Sequence, residues 1–222
     1  MIMEKFEVKI DYLYNSGFSV ETRNCFLVFD YWKEEEGEDI SRRFPAGKKI
    51  VVFASHSHAD HYNPVIFQWR ERNPGIEYVL SSEIRPRAEG KGIHWMSRYR
   101  ELELEGLSIK TFGSTDLGVS FLVKVDGITI FHAGDLNWWD WYDETEENNR
   151  AMEKRFKKEI GRIKGEHIDI AFFPVDPRLR DSYRIGADYF TAEIGPEYLI
   201  PMHYGENTFV RDEFPDMARF SR

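Results

Sequence analysis

Three histidines and one aspartate are concentrated in one short segment of the chain. The segment 56–61 reads His-Ser-His-Ala-Asp-His and contains three of the seven histidines in the sequence. Imidazole nitrogens and carboxylate oxygens are the ligands that zinc and related divalent cations prefer in proteins. These residue types at this spacing therefore predict a metal site, against the alternative of a surface loop that collected histidines by chance.

The neighbouring residues place this cluster on a loop between a strand and a helix. An apolar run over 50–54 precedes it and is typical of a buried strand. Asn63-Pro64 follows, which gives a side chain suited to an N-cap and then a proline suited to the first helical position. Because the backbone can turn sharply in such a loop, we expect the four side chains to converge.

Hydrophobic patterns along the rest of the chain predict two rounds of strands, each followed by helical segments. Alternating apolar and polar residues indicate half-buried strands, and apolar spacings of three and four are typical of amphipathic helices. Asp126-Gly127 is a strong signal for the turn of a hairpin. The predicted strands cover 6–12, 17–21, 24–30, 50–54, 76–80, 102–104, 107–112, 119–125, 128–131, 168–173 and 198–202, and the predicted helices begin near residues 64, 145 and 185.

The segment 56–61 matches the His-X-His-X-Asp-His signature of the metallo-β-lactamase-fold superfamily of metallohydrolases, which the chain resembles. Two further landmarks follow in the family's order, Gly134-Asp135 after the second hairpin and His203 after the last strand. The resemblance runs from about residue 6 to residue 210. It implies an α/β fold of αββα type, a four-layer sandwich in which two sheets pack face to face, helices lie outside and the site lies along one edge. We therefore expect one metallo-β-lactamase-like domain over 1–222.

The resemblance also implies a set of metal ligands. In the superfamily two cations share one bridging carboxylate, which suits a centre that activates a shared water. A further aspartate, Asp30 in this chain, would support the metal-binding loops without ligating metal. Carried over by position, the first cation would take His56 and His58, the second would take Asp60, His61 and His203, and Asp135 would bridge the two.

The chemistry that the resemblance implies is hydrolysis assisted by one or two divalent cations, with zinc expected first and manganese or iron as alternatives. Such cations lower the pKa of bound water and polarise a carbonyl or phosphoryl oxygen. Asp60 is the expected catalytic residue, because the family gives this carboxylate the task of orienting the water and accepting its proton. The chain shows no motif for a serine or cysteine nucleophile.

One ligand of the superfamily is missing from this chain. The family places a further histidine for the first cation before the hairpin that ends at the bridging aspartate, but the loop 113–118 reads Gly-Ser-Thr-Asp-Leu-Gly. Asp116 is the strong ligand of this loop, and Ser114 and Thr115 are weaker candidates. A carboxylate there would make the first site richer in oxygen and more receptive to manganese or iron. A mononuclear enzyme and a decayed, non-catalytic centre are the alternatives.

Three tryptophans, Trp138, Trp139 and Trp141, directly follow the predicted bridging aspartate. Aromatic side chains beside a metal could form the wall of a pocket for an apolar or sugar-like group of a substrate. Core packing or an oligomer interface would account for them equally well. Arg178 and Arg180 could hold an anionic substrate or pair with nearby acids.

Composition narrows the classes of function and partner. The net charge of −9 argues against broad binding of a phosphate backbone, so we expect a small-molecule ester, lactone or phosphodiester as substrate and not a nucleic acid. A nuclease of the same fold and a non-catalytic metal-binding or scaffold domain are the alternative functions. The absence of a membrane-length apolar run and of a signal-peptide layout, together with the single Cys25, predicts a cytoplasmic protein. The sequence leaves the oligomeric state open.

Overall fold

Two six-stranded sheets form the frame of the computed structural model, which describes residues 8–33, 39–84, 89–207 and 209–213. The first sheet has the spatial order β1-β2-β3-β4-β5-β6, and the second has the order β12-β11-β10-β9-β8-β7. The strands are β1 (Lys9–Tyr14), β2 (Gly17–Glu21), β3 (Cys25–Phe29), β4 (Lys49–Ala54), β5 (Glu77–Ser81), β6 (Ile93–Met96), β7 (Glu101–Leu104), β8 (Leu107–Phe112), β9 (Ser120–Val125), β10 (Ile128–His132), β11 (Ile170–Pro174) and β12 (Tyr198–Met202).

Each sheet begins as an antiparallel meander and continues into parallel strands. In the first sheet β1, β2 and β3 pair antiparallel, and β3 to β6 pair parallel. In the second sheet β7 to β10 pair antiparallel, and β10, β11 and β12 pair parallel. Parallel strands end at the same edge of a sheet, which is where open α/β sheets bind their ligands. A functional site is therefore expected on the loops that follow β3, β4, β10, β11 and β12.

The largest apolar cluster contains the inner faces of both sheets. Along β4, Val51 and Phe53 face the second sheet, whereas Val52 and Ala54 belong to a separate cluster on the outer face. This division follows from the alternation of side chains along a strand. The ring of Phe53 meets Phe121 of the second sheet edge to face, with 5.3 Å between ring centroids. Burial of such aromatic rings contributes about 1.5–3 kcal/mol each to the hydrophobic stabilisation of the fold.

Helical segments cover the outer faces, which confirms the predicted αββα sandwich. On the second sheet lie α1 (Glu146–Ile163) and α2 (Ile185–Ile194), which bury Phe156 and Phe190 in the main cluster. On the first sheet the covering segments that the structure describes are 3₁₀ helices, Ile40–Arg43 and Pro64–Glu71, and Ile66 and Trp69 are buried there. The remaining helical segments are the 3₁₀ helix Pro177–Ser182 and α3 (Phe209–Glu213).

The sequence patterns predicted most of these elements. Thr145 caps α1 by accepting a hydrogen bond from the N–H of Asn148, and Asn63 caps the segment after the histidine motif in the same way. The sequence predicted a helix beginning near residue 64, and the structure shows that this helix has 3₁₀ geometry. The edge strand β6 was not predicted, because its residues show no clear alternation. The predicted start of the first strand at Phe6 lies outside the described residues, and the single-domain boundary of 1–222 stays a prediction.

Among the residues that the structure describes, no helix is both long enough and apolar enough to span a bilayer.

An aspartate at the turn of the second hairpin joins the two sheets. Asp126 and Gly127 have φ angles of 49° and 82°, as a type I′ turn requires. The Asp126 carboxylate accepts hydrogen bonds from the Thr22 hydroxyl (2.6 Å) and from the backbone N–H and the side-chain amide of Asn24 (2.8 and 2.6 Å). Partial burial raises the pKa of Asp126, but these donors outweigh it and hold that pKa below its ordinary value.

We expect the substitution Asp126→Asn to lower the free energy of unfolding by about 1–2 kcal/mol at neutral pH, because it removes a charged acceptor of hydrogen bonds. Asparagine tolerates the positive φ, so the turn itself is retained. The folded-state pKa of Asp126 is lowered, so its contribution is present at neutral pH and is lost as the pH falls through that pKa. Urea unfolding at neutral and acidic pH measures the effect. The exposed Asp143→Asn serves as the control, and equal stabilities of the two variants at neutral pH would contradict the expectation.

Candidate metal centre

The loops that follow β3, β4, β10, β11 and β12 contribute side chains to one edge of the sandwich. Asp30 comes directly after β3, and the segment 56–61 comes two residues after the end of β4. Asp135, Asp176 and His203 come shortly after β10, β11 and β12. The structure therefore brings together, from both sheets, residues that are up to 173 positions apart in the chain.

His56, His58 and Asp135 form one compact group in which the potential ligand atoms lie within 4.8 Å of one another. The Nε2 atom of His56 is 3.1 Å from Oδ2 of Asp135 and 3.0 Å from Nδ1 of His58. His56 is fully buried, whereas the side chain of His58 is 45% exposed and faces the cleft beside the site. These are the residues predicted for the first cation.

A second group contains Asp60, His61 and His203 and has the same compactness. The Nε2 atoms of His61 and His203 each lie 3.6 Å from Oδ2 of Asp60. They also lie 3.1 and 3.3 Å from Oδ1 of Asp135, whose other oxygen faces the first group. Asp135 thus stands between the two groups, which is the position predicted for a bridging carboxylate.

The buried Asp30 carboxylate fixes the orientation of two of these histidines. Its Oδ2 accepts hydrogen bonds from Nδ1 of His61 (2.7 Å) and from the Ser55 hydroxyl (2.6 Å), and its Oδ1 accepts from the Ser55 N–H (2.7 Å). Because the Ser55 hydroxyl donates to Asp30, it accepts from Nδ1 of His56 at 2.9 Å. Both rings therefore carry their proton on Nδ1 and present the Nε2 lone pair to the centre. Asp30 supports the centre from outside, as the resemblance implied.

The Asp176 carboxylate fixes the orientation of the His203 ring. Its Oδ2 accepts a hydrogen bond from Nδ1 of His203 at 3.0 Å, so Nε2 of that ring faces the centre. The Asp176 carboxylate also caps the following 3₁₀ helix through the N–H of Arg178 at 2.9 Å. Burial raises the pKa of Asp176, but His203 and Arg178 outweigh it and lower that pKa. Carboxylates behind metal-binding histidines usually fix the tautomer and raise the affinity for metal.

Asn15 is a residue of the site that the sequence did not reveal. It lies in the tight turn between β1 and β2 with a positive φ of 53° and is buried. Its side-chain amide donates to Oδ2 of Asp60 (3.1 Å), and its carbonyl accepts from the N–H of His203 (3.0 Å). In the sequence, Asn15 precedes Ser-Gly between two predicted strands, and this pattern indicates only a turn. Asn15 and Asp60 are 45 residues apart in the chain, and no local pattern indicates that they are in contact.

The loop 113–118, which lacks the expected histidine, lies against the first group. Oδ2 of Asp116 is 3.9 Å from Nδ1 of His58, and the Asp116 side chain is 47% exposed toward the cleft. The Thr115 hydroxyl donates to the carbonyl of Asn137 (2.6 Å), and the Ser114 hydroxyl accepts from the N–H of Asp116 (3.2 Å). Both hydroxyls are therefore engaged, and Asp116 is left as the candidate ligand of this loop.

A glycine fixes how closely this loop approaches the histidine motif. Gly118 has a φ of 69°, and a Cβ atom there would lie only 1.9 Å from the carbonyl oxygen of Ser55. The next residue, Val119, donates its N–H to that same oxygen at 3.1 Å. No other residue type fits this contact, so Gly118 holds Asp116 beside the first group.

The chemistry of the donor set fits one or two divalent cations. Nε2 of His61 and Oδ1 of Asp135 are buried, and neither makes a hydrogen bond to any residue that the structure describes. Buried polar atoms without partners are rare in proteins and usually mark a bound ion or water. Tetrahedral bonds of about 2.1 Å to a cation place neighbouring ligand atoms about 3.4 Å apart. The distances from the carboxylate oxygens of Asp60 and Asp135 to the histidine nitrogens, and the distance from His56 to His58, run from 3.0 to 3.9 Å. The residues therefore fit the group that the fold implies.

A cleft of about 330 Å³ opens beside both groups. Trp139 and Trp141 line it, together with Met152 of α1 and Arg178. Trp138 points away from it and packs against Phe156 and Tyr189, with ring centroids 6.0 Å apart in both cases. Of the three tryptophans predicted for a substrate pocket, the structure therefore places two on the cleft, and the third, Trp138, half-buried against α1 and α2.

The comparisons with known proteins agree with this geometry. The sequence profile of the beta-lactamase superfamily domain matches residues 9–203. The chain belongs to this superfamily. A UPF0173 metal-dependent hydrolase of Bacillus velezensis is 26% identical to it, over 94% of this chain and 90% of the relative. YtkL, a UPF0173 metal-dependent hydrolase of Bacillus subtilis, is also 26% identical, over 91% and 87%.

A solved structure shows the same fold at lower sequence identity. Igni18, a metallo hydrolase from the archaeon Ignicoccus hospitalis, superimposes with a TM-score of 0.66 over 96% of this chain and 93% of its own, at 20% identity. At this identity the likeness establishes the fold alone, and the roles of the individual residues rest on the geometry described above.

We expect the affinity of the centre for Zn²⁺ to weaken as the pH falls, because protons compete for the histidine nitrogens. Burial lowers the pKa of His61, but the carboxylates of Asp135 and Asp30 outweigh it and raise that pKa well above its ordinary value. The nearby carboxylates of Asp135 and Asp116, each with an oxygen 3.9 Å from Nδ1 of His58, raise the pKa of His58. Because both pKa values are raised, protons leave these two histidines only above the ordinary histidine range. The affinity for Zn²⁺ should therefore continue to increase as the pH is raised beyond that range.

Competition with a chromogenic chelator, repeated across that pH range, measures this affinity. The variant His94→Gln is the control, since its histidine pairs with Glu77 and belongs to none of the potential ligand groups among the described residues. It should give the same profile as the wild type. An affinity that levels off at the ordinary histidine pKa would contradict the raised values of His58 and His61.

Proposed function

We propose that the protein is a metal-dependent hydrolase that cleaves a small-molecule ester, lactone or phosphodiester. The observation that carries the proposal is the position of Asp135, whose two oxygens face two separate groups of ligands at the mouth of a cleft. Membership of the superfamily and the metal-dependent hydrolases among its relatives support the same conclusion. A cytoplasmic location stays a prediction.

The proposed ligands divide between two cations. We expect zinc first, with manganese or iron as alternatives, because the three buried histidines favour zinc and the carboxylates favour the harder ions. When bound, such cations would lower the pKa of water and polarise the oxygen of the scissile group. The first cation would be held by His56, His58 and Asp116, the second by Asp60, His61 and His203, and Asp135 would contact both.

Asp60 is the residue proposed to orient the attacking water and to accept its proton. Its Oδ2 accepts the hydrogen bond from Asn15, and its Oδ1 makes no hydrogen bond to any residue that the structure describes. The side chain is 37% exposed and lines the cleft, so a substrate and a water can reach it. The hydrogen bond from Asn15 restrains the carboxylate through Oδ2 and leaves Oδ1 for the water.

The alternative functions fit the site less well. A nuclease must hold a chain of phosphates, yet Arg178 is the only lysine or arginine among the described residues that line the cleft, and the net charge is −9. A non-catalytic scaffold has no need for buried atoms without partners such as Oδ1 of Asp135. The cleft of about 330 Å³ matches the size of a small molecule.

A substrate panel tests the proposal directly. Purified protein is assayed against esters, lactones and phosphodiesters with added zinc or manganese, and its metal content is determined by elemental analysis. We expect Asp60→Asn to reduce kcat on any substrate found by about 10²–10⁴-fold, because the carboxylate can no longer accept a proton. The exposed Asp188→Asn should leave kcat unchanged. Near-normal kcat in Asp60→Asn at unchanged metal content would exclude this role of Asp60.

The role of Asp116 requires a separate measurement. We expect Asp116→Ala to weaken binding at the first site while the second cation stays bound, because the carboxylate is lost from beside His58 only. Asp116→His restores an imidazole and should favour zinc over manganese there. Metal stoichiometry and affinity are determined by calorimetric titration with each ion. Two cations bound to Asp116→Ala with unchanged affinity would show that Asp116 is not a ligand.

A further inference from the structure

One wall of the cleft consists of two tryptophans that are fixed to the metal centre. Trp139 and Trp141 lie parallel, with an angle of 6° between the ring planes and 6.0 Å between the centroids. The indole N–H of Trp139 donates to the carbonyl of Asp135 at 3.1 Å, and its ring meets His203 edge to face at 5.5 Å. The wall therefore has a defined position relative to the proposed ligands.

Arg178 stands beside this wall, and buried groups hold it in place. Its Nε donates to both oxygens of Asp176 (3.0 and 2.9 Å), and its Nη2 donates to Oδ2 of the same carboxylate. Asp176 is only 1% exposed and also holds His203. The guanidinium carbon lies 5.7 Å from the centroid of the Trp141 ring, within the range of a cation–π contact.

The hydrogen bonds with Asp176 leave one edge of the guanidinium free. A guanidinium carries five N–H groups, and its side edge consists of Nε–H and one N–H of the neighbouring terminal nitrogen. Asp176 occupies that edge. The end edge, with one N–H from each terminal nitrogen, remains, and Nη1 makes no hydrogen bond to any residue that the structure describes. The Arg178 side chain is 62% exposed, so a ligand in the cleft can reach it.

We propose that Arg178, Trp139 and Trp141 form a subsite that binds a carboxylate attached to a planar ring. The inference rests on the proposed function and names the class of its substrate. The free end edge of Arg178 matches the two oxygens of a carboxylate, and the half-buried Trp141, backed by the buried Trp139, offers an apolar surface for the ring. A substrate held in this way lies with its other end at Asp60 and Asp135, which line the same cleft.

The charges around the cleft favour a carboxylate over a phosphate. Asp60, Asp116 and Asp135 also line it, and Arg178 is the only arginine or lysine among the described lining residues. The positive charge of Arg178 is already shared with Asp176, so the cleft without cations accepts one further negative charge more readily than two. A phosphate monoester with nearly two charges at neutral pH would meet more repulsion from the carboxylates of the site than a carboxylate with one charge.

Binding of non-hydrolysable probes tests the subsite without any turnover. The probes are 2-naphthoate, the neutral 2-naphthamide of the same shape, and 2-naphthyl phosphate, measured by calorimetry with the full chain in metal-loaded and metal-free form. We expect naphthoate to bind about 10–100-fold more tightly than naphthamide, as a charged bidentate hydrogen bond implies. The metal-free protein should keep this preference, because Arg178 and not a cation provides it.

Three variants and a matched control assign the preference to residues. Arg178→Gln should remove the preference for naphthoate, and Trp141→Leu should weaken naphthoate and naphthamide equally. Arg180→Gln should behave like the wild type, because Arg180 lies on the same 3₁₀ segment but stacks on Tyr142, which does not line the cleft. Thermal melting of each metal-free variant verifies that it is folded, and Arg178→Lys provides a second variant that keeps the charge and loses the bidentate edge.

The results separate the subsite from the proposed function. Equal binding of naphthoate and naphthamide by the wild type, or an undiminished preference in both Arg178→Gln and Arg178→Lys, would overturn the subsite. Tighter binding of naphthyl phosphate than of naphthoate would overturn the carboxylate assignment. A preference that depends on Arg178 in a protein that hydrolyses nothing in the substrate panel would support the subsite and refute the hydrolase.

Discussion

The arrangement of the site depends on one buried carboxylate, that of Asp30. It lies at the end of β3 with no exposed surface, so every hydrogen-bonding position it has must be satisfied inside the protein. Ser55 and His61 satisfy it from the next loop, and this sets both the path of that loop and the orientation of two histidine rings. Burial raises the pKa of Asp30, but the neighbouring histidines His132 and His61 outweigh it and lower that pKa. The charge that holds the loop is therefore retained over a wide range of pH.

A second buried carboxylate, that of Asp135, connects the two halves of the sandwich. It comes from the second sheet, and its Oδ2 lies against His56 while its Oδ1 lies against both His61 and His203. Burial raises the pKa of Asp135, but His61 and its neighbours outweigh it and lower that pKa well below its ordinary value. A buried anion among three imidazole rings is costly for a protein to maintain for structure alone, because its oxygens are only partly satisfied. Such local conflicts with stability are expected at functional sites.

The fold positions this chemistry but does not define the substrate. The same superfamily fold occurs at 20% identity in Igni18, so the fold alone does not define the substrate. In this chain the loop that carries Asp116 and the segments that carry Trp141 and Arg178 lie on the rim of one cleft. The described residues that line it include two tryptophans, three aspartates and one arginine. We therefore expect specificity to depend on how these three segments pack against the two sheets.

The sequence by itself indicated most of the strands, the helices and the ligand types, because these are encoded locally, whereas the αββα arrangement followed from the resemblance to the superfamily. The apolar run of β4 and the cap at Thr145 are properties of neighbouring residues, and the histidine motif occupies one loop. Only the tertiary structure decided which neighbours those residues have. Trp138 and Trp139 are adjacent in the chain, yet one packs under α1 and the other lines the cleft. Asn15 reaches Asp60 across 45 residues, since the contacts of a side chain depend on how distant loops pack and no local pattern records that packing.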